Sequence, residues 1–169
     1  MGTERIDEML PRLDTTIAMR ANGKGQRMNP VADQTEPAAC RLLQRGEAYV
    51  GKQGLQYEVA ISAETVGAKA IHMQMVTIPP RGRARAHKHA THETAIYALS
   101  GESGVWHGER LEHHTVVKPG EFFYIPADMP HLPYNPSETD PVIAVIARTD
   151  PNEQESVILL PELEGIHPE

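Results

Sequence analysis

From residue 55 to residue 160 the chain is cut into short alternating runs by glycine and proline, and this punctuation limits the fold more than any other feature. Leu55, Tyr57, Val59 and Ile61 alternate with Gln56, Glu58 and Ala60, the period of a half-buried strand. A second strand is expected within Lys69–Ile78, with Ile71, Met73 and Met75 opposed to His72, Gln74 and Val76, and Pro79-Pro80 ends it because proline has no N–H to donate. Further runs follow at Thr94–Leu99, around Val105, at His113–Lys118, Glu121–Ile125, Val142–Ala147 and Ser156–Leu160. Turn residues separate them, and no helical period intervenes. An all-β fold, an antiparallel barrel or sandwich of nine or ten strands, is the expectation. With 13 glycines and 14 prolines in 169 residues, composition agrees. That length suits one domain.

The segment before residue 40 reads differently. Ile6, Met9, Leu10 and Leu13 share a helical face, and the polar, aperiodic stretch that follows is expected to be an extended arm, so residues 1–39 are read as a short helix and an arm. Residues 40–160 form the barrel, and residues 161–169 an acidic, loose tail. A formal net charge of −7 argues against a nucleic-acid or anionic-membrane surface, since no basic field would gather a polyanion. Arg81, Arg83, Arg85 and Lys88 are the one dense basic cluster, read as a solvated edge. The single cysteine, Cys40, rules out an internal disulfide, and a cytoplasmic location is the default. Neither a basic, apolar leader nor an apolar run of about 18 residues is seen, so no signal peptide or membrane span is expected.

Four potential metal ligands fall between residues 87 and 93: His87, His89, His92 and Glu93. On a strand, His87 and His89 point to the same side and could share an ion if the fold returns further ligands. His131 is a candidate for that return, beyond a strand and between restricting prolines. His72, His107, His113, His114 and His167 are left without a role, and Met73, Met75, Trp106 and Tyr124 are read as core.

These residues resemble the two motifs of the cupin family. Gly120, Pro126, His131 and Asn135 fit the second motif at every spacing, with Asp128 where the pattern has glycine. His87, His89 and Glu93 fit the core of the first, although Gly82 and Gly101 each stand one residue off the expected flank. Counting back from Gly101 places Thr94, rather than Glu93, where many cupins carry a carboxylate ligand. Either a bulge turns Glu93 inwards or His92 takes its place, and Glu93 is favoured because a carboxylate offsets the charge of a dication.

The resemblance implies a single antiparallel double-stranded β-helix, the cupin jelly-roll barrel. It also implies a divalent transition metal held by His87, His89, Glu93 and His131, with Fe(II) favoured and Mn, Ni or Zn as alternatives, and a homodimer. The expected ligand is a small organic molecule. A dioxygenase-like oxidoreductase is the leading reading, with Glu93 also able to accept a proton. The alternatives are a non-redox isomerase or lyase and a non-catalytic module that binds a sugar or carboxylate.

Overall fold

The computed structural model describes residues 39–152 and 156–167. The expected helix at residues 3–13 and the arm lie outside the described residues. Among the described residues there are eleven strands: β1 (Ala48–Val50), β2 (Gln56–Ile61), β3 (His72–Ile78), β4 (His87–His89), β5 (Thr94–Ser100), β6 (Ser103–His107), β7 (His113–Val117), β8 (Phe122–Ile125), β9 (His131–Tyr134), β10 (Val142–Arg148) and β11 (Val157–Leu159). A four-residue helix, α1 (Ala63–Val66), sits between β2 and β3. Its Ser62 cap accepts from Thr65 N while the Thr65 hydroxyl accepts from Ser62 N, and Gly67 closes it in the left-handed conformation.

The strands form two antiparallel sheets, β1-β2-β3-β10-β5-β8 and β11-β4-β9-β6-β7. Turn chemistry explains the connections. Gly101, at φ 72°, lets β5 fold back towards β6, and a Cβ there would come within 2.6 Å of the Pro141 carbonyl oxygen. Gly120, at φ 88°, turns β7 into β8.

Three expectations change. On β3 the inward residues are His72, Gln74, Val76 and Ile78, whereas Ile71 is exposed and Met73 and Met75 are half-buried. The face that the apolar ranking favoured is the outer one, because the inner face must supply polar groups to the pocket. No strand is expected among the prolines around His131, yet β9 runs there, and Pro133 still accepts from Ala84 N at 2.9 Å. The tail is docked: a 3-10 turn at Pro161–Leu163 leads to Glu164, whose carboxylate accepts from Ala86 N at 2.8 Å, and to His167, stacked 3.6 Å from Trp106.

The main core lies between the sheets and joins Leu55 and Tyr57 of the β2 region to Val76, Ile78, Val142 and Ala144. Burying each large side chain contributes about 1.5–3 kcal/mol. Asn135 secures the turn beside it: its Nδ2 donates to the carbonyls of Ile78, Pro79 and Asp140, and its Oδ1 accepts from Ser137 N at 2.9 Å. Among the described residues no helix is long and apolar enough to cross a membrane.

Candidate metal centre

β4 is three residues long, and its alternation sends His87 and His89 inwards with Lys88 between them. β9 lies alongside, with His131 opposite His87. The ligating atoms of His87, His89 and His131 all lie within 4.8 Å of one another, and all three residues are buried. Of the four expected ligands, the structure brings these three together.

The tautomers are set by the backbone. His87 Nδ1 is 2.7 Å from the Arg85 carbonyl oxygen and His131 Nδ1 is 2.9 Å from that of Met129. A carbonyl only accepts, so each Nδ1 carries the proton and each Nε2 presents a lone pair. Burial, then the neighbouring His131 and His89, holds His87 well below the usual imidazole range. Burial pulls His131 down to about 4, and burial followed by His131 and His92 pulls His89 to about 2. All three are therefore neutral near neutral pH, the form that binds a metal.

Glu93, the expected fourth ligand, does not lie with them in the structure. Its N–H donates to Thr149 Oγ1 and its carbonyl accepts from Thr149 N, fixing the start of β5 against the end of β10. From that anchor, strand parity turns Thr94, Ile96 and Ala98 inwards and Glu93, Ala95 and Tyr97 outwards. The Glu93 carboxylate instead accepts from the exposed Tyr124 hydroxyl at 2.7 Å. The proton-accepting role expected of it has no access to the pocket. His92 is buried beside His89, with ring centroids 4.6 Å apart, yet its Nδ1 faces Ser156 Oγ at 3.4 Å and Asp150 Oδ2 at 3.9 Å, and it too lies outside the cluster.

Both sheets line the pocket that holds the cluster. Its wall is chiefly apolar, with Gln53, Gln74, Thr94, Ser103 and Arg148 among its polar members. Arg148 and Gln74 were not anticipated. The signal for Arg148 was present: Val142, Ala144 and Ile146 point inwards at every second position, and Arg148 is the next member of that row. Trp106, Tyr124, Met73 and Met75 do not line it.

The cupin domain model matches residues 74–147. This stretch is a cupin domain. β1 and β2 extend its first sheet and β11 its second. Similar solved structures include an oxalate oxidase at 22% identity, TM-score 0.55, with 66% of this chain and 57% of that chain covered. Lactobacillus farciminis oxalate decarboxylase, solved as a formate complex, is 20% identical at TM-score 0.58, over 72% of this chain and 36% of that one. A conserved Klebsiella pneumoniae protein with a double-stranded β-helix domain is 15% identical at TM-score 0.53, over 66% of this chain and 90% of that chain. The matched part thus spans little more than half of the oxidase and about a third of the decarboxylase. At such identities the likeness is one of fold: the cupin jelly roll, built of two antiparallel sheets. No curated protein matches the chain at a significant level.

Proposed function

We propose that this chain is a metal-dependent enzyme acting on a small organic molecule, an oxidoreductase of the dioxygenase-like kind. The observation that carries this reading is the convergence of three neutral imidazoles, with Nε2 lone pairs free on His87 and His131, on one point of a largely apolar pocket. A divalent transition metal fits that donor set, Fe(II) being favoured over Mn(II), Ni(II) or Zn(II), and would supply oxygen activation with coordination positions left open for substrate. His87, His89 and His131 would hold it, the Arg85 and Met129 carbonyls would fix two of the rings, and the apolar wall would keep bulk water from the reacting molecule.

Among the described residues lining the pocket there is no Asp or Glu, so an isomerase or lyase mechanism finds no carboxylate base there, which favours redox chemistry. The solved neighbours supply a parallel of fold only, an oxidase and a decarboxylase of a small organic acid. The expected homodimer belongs to the same proposal. The outer face of β5 and β8, where the tilted rings of Tyr97 and Phe122 have centroids 4.7 Å apart and Leu99 is exposed, supports it as a surface for a second copy.

Iron loading followed by oxygen-electrode measurements tests the function. One ion per chain and oxygen uptake with at least one member of a panel of small acids, enols and diketones are expected. Metal loading without uptake for any compound would remove the oxidoreductase reading, and failure to load would remove the metal reading.

A further inference from the structure

β4 has little pairing of its own to hold it. It is three residues long, and its register with β9 is the single pair His87 and His131. On its other side β11 pairs with all three residues. β11 runs straight into the tail, and the tail continues the grip. Leu160 N donates to the Ala86 carbonyl oxygen at 2.8 Å, and Ala86 N donates to Glu164 Oε1 at 2.8 Å. Ala86 is fully buried, so water does not stand in for either partner.

The bond to Glu164 reaches His87 through one peptide group. The Arg85 carbonyl and the Ala86 N–H belong to the same planar unit, whose oxygen accepts from His87 Nδ1 while its N–H donates to Glu164. Tilting that plane moves the acceptor that fixes the His87 ring. A carboxylate at the N–H also polarises the amide, which makes the carbonyl a better acceptor and His87 Nε2 a better electron donor.

Glu164 is itself held. Arg83 donates to Glu164 Oε2 and to the Glu164 carbonyl oxygen, both at 3.4 Å, and to the His167 carbonyl oxygen at 3.2 Å. The His167 ring stacks on Trp106, and its Nε2 donates to the Leu111 carbonyl oxygen at 2.8 Å. Leu160 forms a small core with Ala86, Leu111 and Leu132, against which Leu163 packs. Ala86 is the chain neighbour of His87 and Leu132 that of His131, so the tail backs both strands that deliver imidazoles.

We infer that residues 160–167 clamp the metal centre, with Glu164 as the positioning residue for His87, so that docking of the tail and binding of the metal strengthen each other. This rests on the reading of the three histidines as a metal centre. The coupling is reciprocal by linkage: whatever factor the docked tail adds to metal affinity, the metal adds to tail docking.

Zn(II) affinity of the full chain, measured by chelator competition, is expected to fall at least about tenfold in Glu164→Ala, the loss usual for a residue that supports a ligating imidazole. Glu164→Gln keeps an acceptor oxygen for Ala86 N and should recover most of that loss. The visible absorption of the Co(II)-loaded protein should shift in Glu164→Ala and return in Glu164→Gln, because His87 is displaced only in the first. In the unaltered chain, amide exchange at Ala86, Leu160 and Glu164 should slow at least about fivefold on Zn(II) loading. Glu164→Ala with an affinity within about twofold of the unaltered protein would overturn the inference. So would tail amides that exchange equally fast with and without Zn(II), a result that needs no variant to fold. If the unaltered chain binds no Zn(II), the metal reading falls and takes the clamp with it; if it binds Zn(II) while the tail amides are unmoved, the clamp alone falls.

Discussion

His87 and His131 face each other across β4 and β9 with ring centroids 4.2 Å apart, and each bonds through Nδ1 to the carbonyl of the residue two positions before it. The two strands thus deliver their imidazoles by the same local device. Each ring is locked in the tautomer that turns Nε2 towards the other ligands.

Replacing either ring should abolish stoichiometric metal binding. His87→Ala and His131→Ala are each expected to weaken affinity by more than about 100-fold, beyond the usual loss for an outer-sphere partner. Elemental analysis of tag-free protein after dialysis checks this, with circular dichroism to show that the sheets persist. Retention of one ion per chain by either variant would contradict the assignment.

Glu93→Gln should leave the bound metal untouched. The carboxylate lies on the outer surface against Tyr124, where solvent replaces a lost hydrogen bond with little change in stability. The same elemental analysis and a thermal melt suffice. A loss of metal comparable to that of His131→Ala would place Glu93 among the ligands after all.

Metal-free protein should lose stability as pH falls below about 6.5. His72 and His131 are pulled to about 4 and His89 to about 2, chiefly by burial, whereas in the unfolded chain each titrates near 6.5. Between those values the unfolded state binds more protons, so stability rises with pH through the window and is complete above it. Urea unfolding at pH 7.5, 6.0 and 5.0 should give a falling midpoint, and a flat profile would show that these rings are solvated.

Asn135→Ala should destabilise the fold by about 3 kcal/mol. It removes the buried side chain that binds three carbonyls and one N–H, and leaves several of those groups unpaired. Chemical denaturation measures the change, and a loss below about 1 kcal/mol would mean that water or a shifted turn replaces the amide.

The succession of strands, apart from β1 and β9, and most of the histidine cluster were legible in the sequence. Glycine and proline mark the turns, and the one-residue gap between His87 and His89 places both rings on one face. His131 came through its motif spacing. What failed were matters of strand parity and of polar residues facing inwards. Glu93 fits the spacing after His89 but not the count back from Gly101; β5 is anchored to Thr149 at Glu93, and Thr94 is the residue that turns in. On β3, hydrophobicity pointed to Ile71, Met73 and Met75, while His72 and Gln74 face inwards to form the network with Arg148. β9 was hidden by prolines, and the docked tail depends on contacts with residues some eighty positions earlier, which no local pattern reveals.

β4 is flanked by β9 on one side and β11 on the other, and the backbone just before it is met by Glu164, 78 residues after Ala86. In the order of synthesis, the strand bearing two of the three histidines emerges well before either neighbour. A nascent chain that stops short of His131 offers two imidazoles on an unpaired edge, a weak chelate that releases its ion readily. Completion of the three-imidazole cluster thus belongs to a late moment in folding, when distant segments have closed around β4.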